Sequence, residues 1–296
     1  MVMRMMVVNK NARVSIGHSL DRGPISIDLI SEAHCLITGQ TRSGKSVFTY
    51  ALLSQLALMP HVRVVGVDFS GILLRPFSQR IPDPRVVNGG DDVGVAVETL
   101  AWLKGEMDRR NDALSKSDLD KWGEFSPGFP LLVCVLEEFP GTVARLKAAD
   151  AGKKPAERLL PRWQALVASL MAEGAKAGIR LILIAQRPDA EIVGGAAREN
   201  MPVRIAFKQS SGEAYRMLYP DIESAEVERV KMQPPGVGLF ESPRLSRRIF
   251  KGPFVDYADY VRHVRSCDLD YLRNLSVDRR FRLEVAEEWP EIGDPG

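Results

Sequence analysis

The feature that most constrains this chain is the segment GQTRSGKS at residues 39–46, a complete G-x-x-x-x-G-K-S pattern. It follows an apolar run, His34–Thr38, and opens an amphipathic run, Lys45–Leu58. A strand, a glycine-rich turn and a helix in this order let backbone N–H groups and the positive end of the helix dipole surround a phosphate group. The pattern therefore predicts a nucleotide-phosphate site at a strand-to-helix turn.

Each position of this segment has an expected task. Gly39 and Gly44 let the backbone approach phosphate oxygens closely, because a glycine carries no side chain to block them. Lys45 is expected to reach the β- and γ-phosphates of ATP, and Ser46 to hold Mg²⁺. A chance match in a Gly/Ser-rich turn is the alternative, and the flanking strand and helix argue against it. The predicted nucleotide contacts are Gly39, Gln40, Thr41, Arg42, Ser43, Gly44, Lys45, Ser46 and Val47.

Short apolar runs alternate with longer amphipathic ones along the chain. Because the short runs are rich in Val, Ile and Leu without polar alternation, they predict a mostly parallel sheet with helices on both faces, which is an α/β fold. The segment Gly141–Pro161 is expected to be an exposed loop or a loose helix. The predicted strands are His34–Thr38, Val62–Asp68, Leu131–Leu136, Ile179–Ala185, Val203–Phe207 and Gly236–Phe240. The predicted helices are Lys45–Leu58, Val93–Ser115, Arg158–Ala177 and Gly212–Leu218.

Charge and cysteine content exclude several classes of protein. The 296 residues carry 40 Lys and Arg against 38 Asp and Glu, and this net charge of +2 excludes a strongly basic nucleic-acid coat but not a local basic patch. Three widely spaced cysteines argue against a disulfide framework, and four histidines share no metal-ligand spacing. No apolar run is long enough to span a membrane. We expect a cytoplasmic protein with one α/β domain, residues 1–255, and a short, partly disordered extension, residues 256–296.

Two adjacent carboxylates, Glu137 and Glu138, come directly after the strand Leu131–Leu136. An enzyme that hydrolyses ATP needs an acidic residue there. Glu137 is expected to order the water shell of Mg²⁺, although most such enzymes have Asp at this position, and Glu138 to polarise the attacking water. A solvated strand end is the less favoured alternative. Gln186, at the end of the strand Ile179–Ala185, is expected to sense the γ-phosphate, and a simple strand cap is the alternative.

In this order the motifs resemble those of the FtsK/SpoIIIE family of DNA-pumping motors, over roughly residues 16–255. The resemblance implies a RecA-like ATPase core that uses ATP and Mg²⁺, assembles as a homo-oligomer, a hexameric ring, and moves double-stranded DNA through its centre. The matching segments are GQTRSGKS (39–46), WL and EM with RR (102–110), LLVCVLEE (131–138), GIRLILIAQRP (178–188) and NMPVRIAFKQSS (200–211).

In that family the nucleotide lies between subunits, and an arginine of the neighbouring subunit completes the site. By motif, Arg204 and Arg216 are the positions that this resemblance indicates, and a structural ion pair is the alternative for both. DNA contacts are expected in two basic clusters, and a solvated charged face is the favoured alternative for the second. The first cluster is Arg145, Lys147, Lys153, Lys154, Arg158 and Arg162. The second cluster is Arg244, Arg247, Arg248 and Lys251.

Some features depart from the family pattern. Asp68-Phe69-Ser70 stands where the family has D-P-K. We expect neither the membrane spans nor the complete winged helix of the large members. In size the chain is most similar to the plasmid transfer (Tra) proteins of actinomycetes. We therefore expect a DNA translocase in plasmid transfer, recruited to the inner face of the membrane by an anchored partner. The alternatives are a chromosome-segregation motor, a protein-pumping secretion ATPase, and a nucleotide-binding scaffold with slow hydrolysis.

Overall fold

The computed structural model describes residues 10–32, 34–80, 83–188 and 199–267, and its framework is one sheet of ten strands. The first five strands are β1 (Arg13–Ser19), β2 (Gly23–Asp28), β3 (Cys35–Thr38), β4 (Val62–Asp68) and β5 (Val86–Asn88). The others are β6 (Leu131–Leu136), β7 (Ile179–Ala185), β8 (Val203–Phe207), β9 (Val237–Ser242) and β10 (Leu245–Lys251). Their order across the sheet is β2-β1-β10-β9-β8-β3-β7-β6-β4-β5.

The strands β3 to β8 pair with one another in parallel, whereas β1, β2, β9 and β10 form an antiparallel wing beside β8. Thr38 at the end of β3 lies level with Ala185 of β7 and Ala206 of β8. The carboxyl ends of the parallel strands therefore meet at one edge of the sheet, which is where open α/β sheets bind ligands. The predicted α/β fold with a mostly parallel sheet is confirmed.

Helices cover both faces of the sheet, and each face has its own apolar core. One core contains buried residues of the helices Lys45–Ala57, Arg75–Arg80 and Tyr257–Ser266. The other core contains buried residues of the five described α-helices between residues 93 and 231. All residues of β6 and β7 are buried, as expected of strands between two helical layers. The helices are α1 (Lys45–Ala57), α2 (Arg75–Arg80), α3 (Val93–Ser115), α4 (Phe139–Ala149), α5 (Leu159–Glu173), α6 (Gly212–Leu218), α7 (Ser224–Lys231) and α8 (Tyr257–Ser266).

The segment after Glu138 differs from its prediction as an exposed loop or loose helix. It begins with the helix α4, whose Phe139, Val143 and Leu146 are buried in the core. These apolar residues recur at helical spacing, so they form one buried stripe. A turn and the short helix Pro155–Glu157 then lead into α5, which ends before Gly174 rather than at Ala177.

Four strands were not predicted: β1, β2, β5 and β10. In β1 and β2 buried and exposed residues largely alternate, and β10 is mostly half-buried. A search for continuous apolar runs does not detect such strands, because only every second side chain faces a core. The bulge between Ser15 and Gly17 interrupts the pattern of β1 further.

The helix α8 belongs to the predicted C-terminal extension and packs against α1. Tyr260 stacks on Tyr50 of α1 with ring centroids 4.9 Å apart, and Tyr257 lies 5.4 Å from Tyr50. The disorder was predicted from Glu284 on, which lies outside the described residues, and the domain division at residue 255 stays a prediction. Among the helices that the structure describes, none is long and apolar enough to cross a bilayer.

Candidate nucleotide site

The glycine-rich segment forms the turn between β3 and α1, as its pattern predicts, and it is held from three sides. Gly39 N–H donates to the Ala185 carbonyl at 3.3 Å, and Gln40 N–H donates to the Lys208 carbonyl at 2.9 Å. Gly236 N–H donates to the Ser43 carbonyl at 2.8 Å. The loop is thus fixed between the ends of β7 and β8 and the start of β9, which preorganises it for a ligand.

Gly44 is the position of this loop where glycine is structurally required. Its φ of 96° lies in the left-handed region that L side chains rarely adopt. A Cβ atom here would lie 2.4 Å from the Gly236 nitrogen. Gly44 is also the N-cap of α1, so the helix begins directly after this close contact with Gly236. The first-turn N–H groups of α1, which have no partner within the helix, therefore lie at the glycine-rich turn.

Lys45 is buried at the start of α1, and its Nζ lies 3.7 Å from Oε2 of Glu138. Burial lowers the pKa of this lysine, and the charges of Glu138 and Glu137 oppose that change. Both carboxylates that follow β6 therefore act on the same ammonium group. The structure brings Lys45 together with the adjacent residues Glu137 and Glu138, which lie far from it in the sequence.

The two glutamates have different environments. Burial raises the pKa of Glu137 to about 7, the charge of Asp68 adds to the rise and so does that of Glu138, and Lys45 opposes it. Glu138 has a φ of 43°, in the left-handed region, and it is the N-cap of α4. Such a conformation in a non-glycine residue costs about 1–3 kcal/mol and is held by the surrounding structure. This turn is the point at which the chain leaves β6 and brings the Glu138 side chain to Lys45.

A cleft of about 180 Å³ opens beside Lys45 at the carboxyl edge of the sheet. Its far wall is the loop after β4, which includes Ser70, Ile72 and Leu73. In the sequence this loop stands out only because Asp68-Phe69-Ser70 departs from the D-P-K motif of the family. The buried Asp68 carboxylate accepts hydrogen bonds from the Ser70 hydroxyl and from the backbone N–H groups of Gly71 and Leu74. The cleft is lined by Lys45, Ser46, Thr49, Tyr50, Ser70, Ile72, Leu73, Glu137 and Ile184.

The donors around this cleft fit a hard divalent cation such as Mg²⁺. Ser46 and Glu137 contribute oxygen atoms, which are the ligands that Mg²⁺ prefers. Glu137 is a buried acid beside two other carboxylates, so a cation would favour its ionised form. Within the described ranges, no group of three or more His, Cys, Asp and Glu side chains could hold a metal ion. A cation at Ser46 and Glu137 would therefore need water molecules or phosphate oxygens as further ligands.

Gln186 lies at the same edge of the sheet and is exposed, directly after the Ala185 carbonyl that holds Gly39. A second amide, Gln209, was not singled out from the sequence. Its buried Nε2 donates to Thr38 Oγ1 at 2.9 Å, whereas its Oε1 has no hydrogen-bond partner among the described residues. The sequence signal for Gln209 was its position two residues after β8, at the strand end next to the phosphate loop.

The two candidate arginines have different surroundings. Arg204 in β8 donates to the carbonyls of Met201 and Leu218 and lies 3.9 Å from Glu241. Arg216 in α6 is about half exposed, and its closest charged contact is Glu213 at 4.0 Å. The contacts of Arg204 fit the structural alternative, and Arg216 has the side chain with more freedom to reach a neighbouring molecule.

The first basic cluster lies on α4, the following turn and the start of α5. Several members have partners within the chain: Arg145 pairs with Asp91 at 2.8 Å, and Arg162 with Glu98 at 3.0 Å. Lys154 is exposed and Lys153 half-buried at the turn between these helices. The turn therefore presents Lys153 and Lys154, while Arg145 pairs with the loop before α3 and Arg162 pairs with α3 itself.

The second basic cluster is largely committed to contacts within the chain. Arg247 bonds Asp221, Glu226 and Glu241, and its guanidinium lies 5.4 Å from the ring centre of Tyr219. Lys251 Nζ donates to the Pro235 carbonyl. These contacts fit an intramolecular network that joins β10 to α7 and β9.

The comparison with protein families matches the FtsK/SpoIIIE family over residues 3–188. Among curated relatives, the chain is 28% identical over 270 residues to the DNA translocase SftA of Bacillus subtilis. That match covers 85% of this chain and 26% of the relative, so the chain spans about a quarter of the relative's length.

Two solved structures share the fold. One is the monomer form of the pCW3 conjugation coupling protein TcpA with ATPγS, with a TM-score of 0.65, 24% identity and coverage of 86% of this chain and 69% of that one. The other is the cytoplasmic domain of the type VII secretion ATPase EccC of Thermomonospora curvata, with a TM-score of 0.62, 21% identity and coverage of 89% and 32%. At these identities the matches establish the fold alone.

Proposed function

The chain belongs to the FtsK/SpoIIIE family, and from that premise we propose that it is an ATP-driven motor that translocates double-stranded DNA. The observation that carries the proposal is the pairing of Lys45 with Glu138 beside the cleft lined by Ser46 and Glu137. A phosphate-binding lysine, a cation-binding pair and a candidate base then share one edge of the sheet. This arrangement supports hydrolysis of ATP rather than nucleotide binding alone.

In the proposed binding step the loop from Gly39 to Val47 surrounds the phosphates of ATP. Backbone N–H groups at the start of α1 donate to phosphate oxygens, and the helix dipole favours their negative charge. Lys45 Nζ binds the β- and γ-phosphates, exchanging its carboxylate partner for phosphate. Because the Ser43 carbonyl accepts a hydrogen bond from Gly236 N–H, the loop keeps its shape as the ligand enters.

Ser46 and Glu137 are the residues that would hold Mg²⁺, which when bound neutralises charge on the β- and γ-phosphates. Glu138, no longer paired with Lys45, would orient the attacking water and take its proton on the carboxylate. Gln186, at the end of the neighbouring strand, would contact the γ-phosphate or the water. The buried strands β6 and β7 fix the distance between these two groups.

We propose that the motor is a homo-oligomeric ring, a hexamer, in which a neighbouring subunit completes the site with Arg216 or Arg204. An arginine placed there would stabilise the charge that develops on the transferred phosphoryl group. The first basic cluster, with Lys153 and Lys154 at its exposed turn, would contact the DNA backbone. Six copies of a modest patch would hold DNA by its phosphates without reading sequence.

For the biological setting we propose plasmid transfer by conjugation, with a cytoplasmic motor recruited to the membrane by an anchored partner. Similarity in fold to a protein named a conjugation coupling protein supports this setting. Chromosome segregation remains the alternative, since the relative SftA is named a DNA translocase. A second candidate function is protein translocation, which the fold shared with the secretion ATPase EccC favours.

The decisive experiment is steady-state ATP hydrolysis with and without long linear double-stranded DNA, using Lys45→Ala as the inactive control. A DNA motor should hydrolyse ATP much faster when DNA is present, and the control should show neither activity nor stimulation. Hydrolysis that ignores DNA would favour protein translocation. If the wild type binds ATP but does not hydrolyse it, the motor proposal fails and a nucleotide-binding scaffold replaces it.

A further inference from the structure

A second polar cavity lies at the opposite edge of the sheet from the phosphate loop. It has a volume of about 250 Å³ and opens between the amino ends of β4 and β6 and the middle of α3. Arg63 at the start of β4 and Leu132 near the start of β6 are paired residues in the sheet and both line it. The nucleotide site follows the carboxyl ends of the same strands, so the two sites are distinct.

Four guanidinium groups line this cavity, and two buried carboxylates are each shared between two of them. Asp83 bonds both Arg63 and Arg85, each at 2.5 Å. Glu106 bonds both Arg109 and Arg110. Asp83 and Glu106 are buried, with 5% and 7% of their side chains exposed, so each is already shared. Within the described residues, Arg63 and Arg85 therefore share a single negative charge, which leaves one positive charge in excess on this pair.

The guanidinium groups are also held in fixed orientations. Arg85 lies over the ring of Trp102, with 4.3 Å between its guanidinium carbon and the ring centre, and Arg110 lies over Phe129 at the same distance. Arg110 further donates to the carbonyls of Ala177 and Pro130. Side chains that are already ordered lose little entropy when they bind a ligand, so this cavity is preorganised.

Arg63 has 41% of its side chain exposed, Arg85 and Arg109 have 27% and 26%, and Arg110 is buried. Arg63 and Arg85, which share Asp83, are therefore within reach of one ligand. A guanidinium binds an oxyanion through two parallel hydrogen bonds, and a phosphate offers enough oxygens for several such groups at once. The negative charge of a phosphate would also complement the excess positive charge of Arg63 and Arg85. We propose that this cavity, hereafter the arginine cavity, binds a phosphate group, supplied either by free inorganic phosphate or by the backbone of a nucleic acid.

The test uses the full chain with Lys45→Ala, so that binding at the phosphate loop is suppressed. Calorimetric titration with inorganic phosphate, at constant ionic strength set with chloride, should show one site. Arg85→Gln and Arg63→Gln should each weaken this site at least tenfold. Arg22→Gln, which changes an exposed arginine of the β1–β2 turn, should leave it unchanged.

A parallel titration with a short DNA duplex distinguishes the two sources. If the backbone of a nucleic acid is the natural ligand, duplex affinity falls with phosphate affinity in both variants, and its salt dependence becomes weaker. If free phosphate is the ligand, only the phosphate titration changes. If neither Arg85→Gln nor Arg63→Gln changes the binding of phosphate or of the duplex, the proposal is overturned. The arginines and their carboxylates would then form a purely structural ion-pair network.

A measurement on the unsubstituted cavity covers the case in which these variants do not fold. Fluorine NMR of 5-fluorotryptophan-labelled protein, with Trp102 assigned by Trp102→Phe, reports on the ring beneath Arg85. The Trp102 resonance should shift and saturate as phosphate is added, while that of the buried Trp163 stays in place. A Trp102 resonance that does not move at saturating phosphate would reject the site without any arginine variant.

Discussion

Lys45 and Glu138 form an ion pair between the first turn of α1 and the first turn of α4, with 3.7 Å between Nζ and Oε2. The pair joins the group proposed to bind phosphate and the group proposed to activate water. Phosphate oxygens and the Glu138 carboxylate therefore compete for one ammonium group. If ATP binds Lys45 in place of Glu138, nucleotide binding directly changes the position of the Glu138 carboxylate, the proposed base.

Glu138→Gln should separate binding from hydrolysis. The amide cannot take a proton from water, so we expect hydrolysis to fall by about 10²–10⁴-fold. ATP should bind at least as tightly as in the wild type, because a negative charge beside Lys45 is removed. Filter binding and single-turnover hydrolysis measure the two effects, with Lys45→Ala as the control that loses both. Wild-type turnover in Glu138→Gln would show that another group activates the water.

Glu137 should make stability depend on pH in the nucleotide-free protein. Its pKa is raised from 4.5 to about 7 by burial and by Asp68 and Glu138, so folding favours the protonated acid. The free energy of unfolding contributed by this group is therefore fully present below pH 4.5 and is lost as pH rises through about 7. Urea denaturation between pH 5 and pH 8 should show this slope in the wild type.

Glu137→Gln supplies the matched control for this pH effect. The amide does not titrate, so the variant should show a smaller decrease in the free energy of unfolding over the same interval. Affinity for ATP in the presence of Mg²⁺ should rise with pH in the wild type, since the ionised carboxylate is the form that binds the cation. Identical pH profiles in the two proteins would mean that Glu137 ionises at its ordinary pKa.

The two candidate arginines should behave differently when each is removed. Arg216→Ala should abolish turnover while ATP binding is kept, and mixing it with Lys45→Ala subunits should restore activity if the arginine acts on a neighbour. Arg204→Ala should instead lower the free energy of unfolding by about 1–3 kcal/mol, because it removes bonds to two buried carbonyls. Recovery with Arg204→Ala but not with Arg216→Ala would reverse the assignment.

The two basic clusters should separate DNA binding from stability. Lys153→Glu with Lys154→Glu reverses charge at an exposed turn, so DNA affinity and its salt dependence should fall while the thermal midpoint is unchanged.

Arg247→Gln breaks contacts with Asp221, Glu226 and Glu241, so it should cost about 2 kcal/mol of stability and leave DNA affinity unchanged. Fluorescence anisotropy at several salt concentrations, with thermal melting, tests both. Loss of DNA binding in a stable Arg247→Gln would return the second cluster to the DNA interface.

Tyr260→Phe should weaken the attachment of α8 to the nucleotide site. The buried Tyr260 hydroxyl donates to the Leu73 carbonyl, and Leu73 lines the cleft. Losing one buried hydrogen bond costs about 1 kcal/mol. Because the loop that carries Leu73 is a wall of the cleft, KM for ATP should also rise. Tyr257→Phe, which removes the more exposed bond to the Ile72 carbonyl, provides the comparison. Unchanged stability and unchanged KM in Tyr260→Phe would show that α8 only covers the core.

Apart from the three-residue strand β5, the parallel half of the fold was predictable from the sequence because its strands are continuous apolar runs. β4, β6, β7 and β8 have the predicted bounds. The antiparallel wing was mostly missed because its strands face a core on one side, so their residues alternate or carry arginines such as Arg247. α4 was missed for another reason: its buried stripe of Phe139, Val143 and Leu146 is diluted by Ala, Gly and Lys.

The candidate site was predictable where a motif fixes its parts along the chain, as with Lys45 and Glu138. Asp68 and Gln209 were missed as members of the site because their relevance depends on which strands become neighbours. Asp68 raises the pKa of Glu137 only because β4 pairs with β6. Gln209 reaches Thr38 only because β8 pairs with β3. A single sequence does not specify strand order, so such relationships become visible only in the fold.

The position of α8 has a mechanical consequence. Its two tyrosines hold the Ile72 and Leu73 carbonyls, and Tyr260 also stacks on α1, which carries Lys45. Tension on the polypeptide after Cys267 would therefore be transmitted to two walls of the cleft, and closure of the cleft would pull on that same segment. A load applied to α8 would thus reach the loop after β4 and the helix that carries Lys45 at the same time.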